Sequence, residues 1–130
     1  MTQAFRQESQ PFVQNIAFTS ANSPGWNTLY ANGYAPNRGD ILIACNSDTI
    51  DHEVQFRVHC INYYTTVVGT VLVPAGAGFS AAIPPIDVLA ALPAFGGAVA
   101  LDLNSTFDAN CLIVPTGILE VHVICMGGML

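Results

Sequence analysis

The chain contains no lysine. Its only strong cations are Arg6, Arg38 and Arg57, and the formal net charge of its 130 residues is −6. Nucleic-acid binding relies on clustered Lys and Arg that displace phosphate counterions. Three scattered arginines exclude that class, and the acidic balance argues against anionic membrane surfaces. Charge of either sign is scarce. Charged residues make up 9% of the chain, against roughly 25% in an ordinary soluble domain. A free monomer keeps itself soluble with a mixed, charged exterior. A chain this poor in ionic groups is expected to have much of its surface covered by partner subunits.

Motifs of chemistry are also missing. His59 and Cys60 are adjacent, and His122 and Cys125 are three apart. On strands both spacings point the side chains to opposite faces, so no zinc site is expected. Asp48, Asp51 and Glu53 are acidic but lack the glycine-bearing spacing of a calcium loop, and read as a solvated loop. No G-x-S-x-G elbow and no glycine-rich phosphate loop occur. The expectation is no catalytic residue, no metal and no cofactor. One Cys–His pair stays open, because spacing does not place Cys111. Arg38-Gly39-Asp40 reads as a turn entering a strand, and Asn104-Ser105-Thr106 as an incidental glycosylation pattern.

Long helical periodicity is absent, while strand-like alternation recurs between Gly, Pro, Asn and Asp. In Glu53 to Ile61, Val54, Phe56, Val58 and Cys60 share one face. In Leu119 to Met126, Val121, Val123 and Cys125 alternate with Glu120, His122, Ile124 and Met126. The second face there is partly apolar, which predicts a central strand or an interface. Ile41, Ile43 and Cys45 lie in phase on a short run, read as core. Further strands are expected at 12–18, 27–30, 65–73, 78–83, 99–103 and 112–114, and one short helix from Pro84 to Leu92. Turns are expected at Asn22-Ser23-Pro24-Gly25, Asn32-Gly33, Pro36 to Gly39, Pro74-Ala75-Gly76, Gly96-Gly97 and Pro115-Thr116-Gly117. The sum is an all-β, jelly-roll-like antiparallel sandwich of about eight strands. Residues 1–24 read as an N-terminal arm with the first strand, and 25–130 as the sandwich, one domain in all.

The apolar stretch Val67 to Ile83 is broken by Pro74, Gly76 and Gly78 and reads as two strands and a turn, not a membrane span. Met1 to Gln10 has no apolar core of a signal peptide, so synthesis in a cytoplasm with reduced thiols at Cys45, Cys60, Cys111 and Cys125 is expected.

The order of an early strand, a Pro/Asn/Gly turn, Ile41 to Thr49, an alternating strand to Cys60, Leu72-Val73-Pro74-Ala75-Gly76, Ile83 to Leu89 and Leu101-Asp102-Leu103-Asn104 resembles small β-sandwich virion proteins of tailed bacteriophages, of the head decoration or cement type. The resemblance spans roughly residues 28–126 and rests on turn and core patterns. It implies a capsid decoration subunit on the capsid exterior, a homotrimer that binds and stabilises the shell of major capsid protein. A neck or tail position is compatible with it. The chain departs from the pattern at Pro115, Ile118 and His122. Interface residues are expected at Phe12, Trp26, Tyr30, Tyr34, Met129 and Leu130. The alternative is a carbohydrate-binding or host-recognition module, with Trp26, Tyr30, Tyr34, Tyr63 and Tyr64 as a sugar patch.

Overall fold

The computed structural model describes residues 11–32, 37–60, 64–92, 99–101 and 105–129. The described strands are β1 (Pro11–Phe18), β2 (Trp26–Asn32), β3 (Asn37–Asn46), β4 (His52–Cys60), β5 (Tyr64–Val73), β6 (Ile86–Asp87), β7 (Val99–Leu101), β8 (Ser105–Cys111) and β9 (Val121–Met129). A single helical turn, α1 (Val88–Ala91), follows β6.

The strands form two antiparallel sheets. The first has the order β1-β9-β3-β6, with β7 pairing the start of β3; the second has the order β2-β8-β4-β5. β6 and β7 share one edge of β3, at Ile43–Ala44 and at Asn37–Gly39. They fill one strand position between them. Only the β4–β5 connection joins consecutive strands that pair with each other. The β6–α1–β7 connection stays on the β3 edge of the first sheet, and the other connections pass between sheets, as in a jelly-roll-like sandwich.

The core lies between the sheets. Phe18, Leu42, Val121 and Val123 face inward from the first sheet, and Leu29, Val54, Phe56 and Phe107 from the second. The Phe56 and Phe107 rings stack at 5.6 Å between centroids. Val88, Leu89 and Leu92 of the α1 segment close one side. Val54, Phe56 and Cys60 on β4 and Val121, Val123 and Cys125 on β9 point inward, as their alternation predicts.

Four local expectations need correction. Ile41, Ile43 and Cys45 face outward; the inward residues of β3 are Leu42, Ala44 and Asn46. Residues 78–83 form a turn with one bridge, Ser80 to Ile83, rather than a strand. Gly76 and Gly78 both hold φ of +81° there, a left-handed conformation that bends the chain away from a sheet. Residues 112–114 are loop, and the strand they were expected to form lies earlier, at Ser105–Cys111. The helix is one turn, capped by the Asp87 side chain at the Ala90 N–H, while Ile86–Asp87 is strand. The expected strand at 12–18 is β1, paired with β9 along its whole length, and residues 1–10 of the expected arm lie outside the described residues.

Candidate functional site

Of the six residues expected at interfaces, Phe12 and Met129 lie on β1 and β9 of the first sheet, paired with Gly127 and Asn37. Trp26 and Tyr30 lie on β2 of the second sheet, paired with Asn110 and Phe107. Tyr34 and Leu130, and also Tyr63, fall outside the described residues. The four described positions divide between the two sheets. Trp26 already has a partner within the chain. The Arg57 guanidinium lies 4.4 Å from its ring centroid, and Arg57 Nε donates to Asp108 Oδ2 at 2.8 Å. Thr28 donates to the other Asp108 oxygen at 3.0 Å.

The outward face of the first sheet is largely apolar across β1, β9 and β3, bordered by Asp87 of β6 opposite Ile43 and by Glu120, whose Oε2 lies 2.9 Å from His122 Nε2. Its cross-strand rows read Val13–Met126–Ile41, Asn15–Ile124–Ile43 and Ala17–His122–Cys45 across β1, β9 and β3. None of these nine positions carries Lys, Arg, Asp or Glu. Val13 is 63% exposed, Ile41 48% and Phe79, beside His122, 59%. The second sheet shows a polar outer face by comparison, with rows Asn110–Gln55–Thr70 and Thr106–His59–Thr65.

A second apolar surface sits at one end of the sandwich, on the loops 47–51 and 112–120. Ile50, Leu112, Ile113, Val114 and Ile118 are exposed there. Alternation in the sequence predicts a strand over 112–114 and does not announce these exposed residues. The one signal is Ile118, an aliphatic residue directly after the Pro115-Thr116-Gly117 turn with no strand to alternate on.

Beneath these loops lies a buried polar chain. His52 Nε2 is 2.8 Å from Asp48 Oδ2, and His52 Nδ1 is 3.6 Å from Cys111 Sγ. All three residues are out of solvent reach. Their order, thiol–imidazole–carboxylate, is that of a nucleophile, a base and its orienter. The environment works against that chemistry. Burial raises the Cys111 thiol to about 11, and its Sγ donates to the Ile113 carbonyl at 3.3 Å. A reactive cysteine needs a thiolate and access, and Cys111 has neither. Asp48 behaves oppositely. Burial alone would raise its carboxyl, but bonds from His52 and from the Thr116 and Thr49 N–H groups outweigh burial and hold it at about 2. Asp48 also ties the two loops together, accepting from the Thr116 N–H, 68 positions away, at 2.8 Å.

The three acids of the 48–53 segment diverge. Asp48 is consumed by this network, Asp51 accepts from the Ala75 N–H at 2.8 Å, and Glu53 is exposed. Among the described residues no three His, Cys, Asp or Glu side chains gather as a metal site. His59 binds Thr65 on the outer face, away from Cys60 in the core. No disulfide joins the four cysteines. Among the described residues no helix is long and apolar enough to cross a membrane. No protein-family model, curated protein or solved structure matches this chain.

Proposed function

We propose that the chain is a non-enzymatic structural subunit of a tailed-bacteriophage particle, a decoration or cement protein that binds the shell of major capsid protein and its own copies. In this reading it is made in the host cytoplasm, ends on the capsid exterior as a trimer and needs no cofactor. The observation that carries the reading is the outward face of the first sheet. Nine neighbouring positions on three strands carry no Lys, Arg, Asp or Glu, and exposed Val13, Ile41 and Phe79 lie on or beside them. Such a face marks an interaction site. Each Å² covered contributes about 25 cal/mol, summed over many symmetric copies. The jelly roll agrees with the reading, since capsid and lectin domains share it, though a fold alone does not assign a function. The sequence resemblance supplies the choice of a phage particle.

The test is size and particle binding. Light scattering of the purified chain and co-sedimentation with undecorated shells are expected to show an oligomer that binds shells at a fixed stoichiometry. A soluble monomer that stays in the supernatant refutes the reading.

A further inference from the structure

The loop end of the sandwich differs from the sheet face in two physical respects. First, it is braced. Asp48 links loop 47–51 to Thr116, the Ser47 N–H donates to the Glu120 carbonyl at 2.9 Å, and the Asn46 N–H to the Ala77 carbonyl at 2.8 Å. Leu112 N–H is held by the Glu53 carbonyl at 3.1 Å. The exposed aliphatic side chains therefore project from backbone that is already ordered. Ile118 is 94% exposed and Ile113 54%. Side chains carried on ordered loops bind without the cost of ordering the loop backbone.

Second, it is acidic. Loops 47–51 and 112–120 contain no Lys or Arg. Asp51 and Glu120 lie on these loops and Glu53 next to them on β4; Asp51 accepts from the Ala75 N–H at 2.8 Å, Glu120 Oε2 lies 2.9 Å from His122 Nε2, and Asp48 is ionised in the buried network. This charge selects the occupant. A second copy would bring the same acids against it, and like charges repel. An anionic bilayer is disfavoured for the same reason.

We infer that the braced tip, led by Ile113 and Ile118, is the surface that docks on the shell, seated in an apolar recess rimmed by Lys or Arg on a shell subunit. The inference rests on the shell-binding reading above and leaves copy-to-copy contact to the sheet face. Apolar anchors at the centre supply affinity, and the acidic rim supplies orientation and on-rate.

The experiment compares the wild-type chain with the double variant Ile113→Ser/Ile118→Ser, using undecorated shells as the probe in 50 and 500 mM salt. Both side chains are exposed, so melting and oligomer size are expected to match wild type. The inference expects at least tenfold weaker shell binding by the variant, and wild-type binding that weakens as salt rises. Equal binding by the two chains overturns the tip assignment alone. Wild type that ignores shells overturns the shell reading and the inference together. Vesicles of phosphatidylcholine, with and without phosphatidylglycerol, form the control arm. Vesicle binding that the double variant loses, with shell binding intact, reassigns the tip to a bilayer and overturns the inference.

Discussion

His52 Nε2 sits 2.8 Å from Asp48 Oδ2 with both side chains sealed from solvent. The pair joins the start of β4 to the loop before it, and through Thr116 to the loop before β9. Replacing Asp48 by Asn keeps the shape but removes the charge that three donors address. Breaking a buried, hydrogen-bonded pair costs about 3–5 kcal/mol. Urea denaturation of Asp48→Asn is expected to show a loss of that order. The pH dependence has a definite sign. The folded carboxyl, at about 2, lies below its ordinary 3.8. Its contribution is complete above pH 3.8 and is lost as pH falls towards 2. With 1.36 kcal/mol per pH unit, the wild type loses about 2 kcal/mol across that window, and Asp48→Asn lacks this segment of the curve.

Cys111 carries the opposite dependence. Its thiol titrates near 11 in the folded chain against an ordinary 9.0, chiefly through burial. The folded state keeps a proton that the unfolded state releases. Stability from this group is full below pH 9 and falls as pH rises towards 11. The same burial blocks reagents. Alkylation of the native chain at pH 8, read by mass spectrometry, is expected to label the partly exposed Cys45 before Cys111. Cys111 then reacts at the rate of unfolding, and all four react in denaturant. Rapid native labelling of Cys111 contradicts its placement in the core.

The contact of Arg57 with Trp26 is directly readable, because Trp26 is the one tryptophan in the chain. Asp108 is buried and depends on Arg57 and Thr28 for its bonds. Arg57→Ala leaves that carboxylate short of a cation and is expected to destabilise by about 2–3 kcal/mol, with a shift in tryptophan emission at neutral pH. Arg57→Lys retains charge but not the planar stack, and is expected to fall between the two. Unchanged emission in both variants contradicts the stacked geometry.

These sites mark where the sequence was legible. β4 and β9 were readable because each has one face that is almost wholly apolar, which fixes inside from outside. β3 was readable as a strand but not in phase. Ile41 to Cys45 is apolar without interruption, so alternation offers no choice, and the observed register puts Leu42 and Ala44 inward. β8 was missed because Ser105, Asp108 and Asn110 are poor strand formers. They are tolerated because Asp108 and Asn110 turn to the outer face of a central strand, where Arg57, Thr28 and the Gly25 N–H satisfy them. The buried chain of Asp48, His52 and Cys111 spans 63 positions in sequence. The pairing of β4 with β8, which sets Val54 opposite Cys111, brings its ends together, and no local pattern announces that.

The Pro74-Ala75-Gly76 turn was legible, yet its continuation to Gly78 was read as strand, and Gly78 gives the sharpest packing test. Its φ of +81° suits glycine, and a Cβ there would lie 2.7 Å from Cys45 Sγ and 3.1 Å from Cys45 Cβ. Two costs add in Gly78→Ala: about 1 kcal/mol for a side chain in the left-handed region, and a clash that forces Cys45 or the turn to move. Together they are expected to destabilise by about 2–3 kcal/mol in thermal or urea unfolding. Cys45→Ala removes the nearer atom and leaves the backbone cost. The double variant Gly78→Ala/Cys45→Ala is therefore expected to lose less than the sum of the two single variants. The coupling energy from that cycle measures the steric part directly. Strict additivity separates Gly78 from Cys45 and overturns the packing of this turn beneath the outer face of β3.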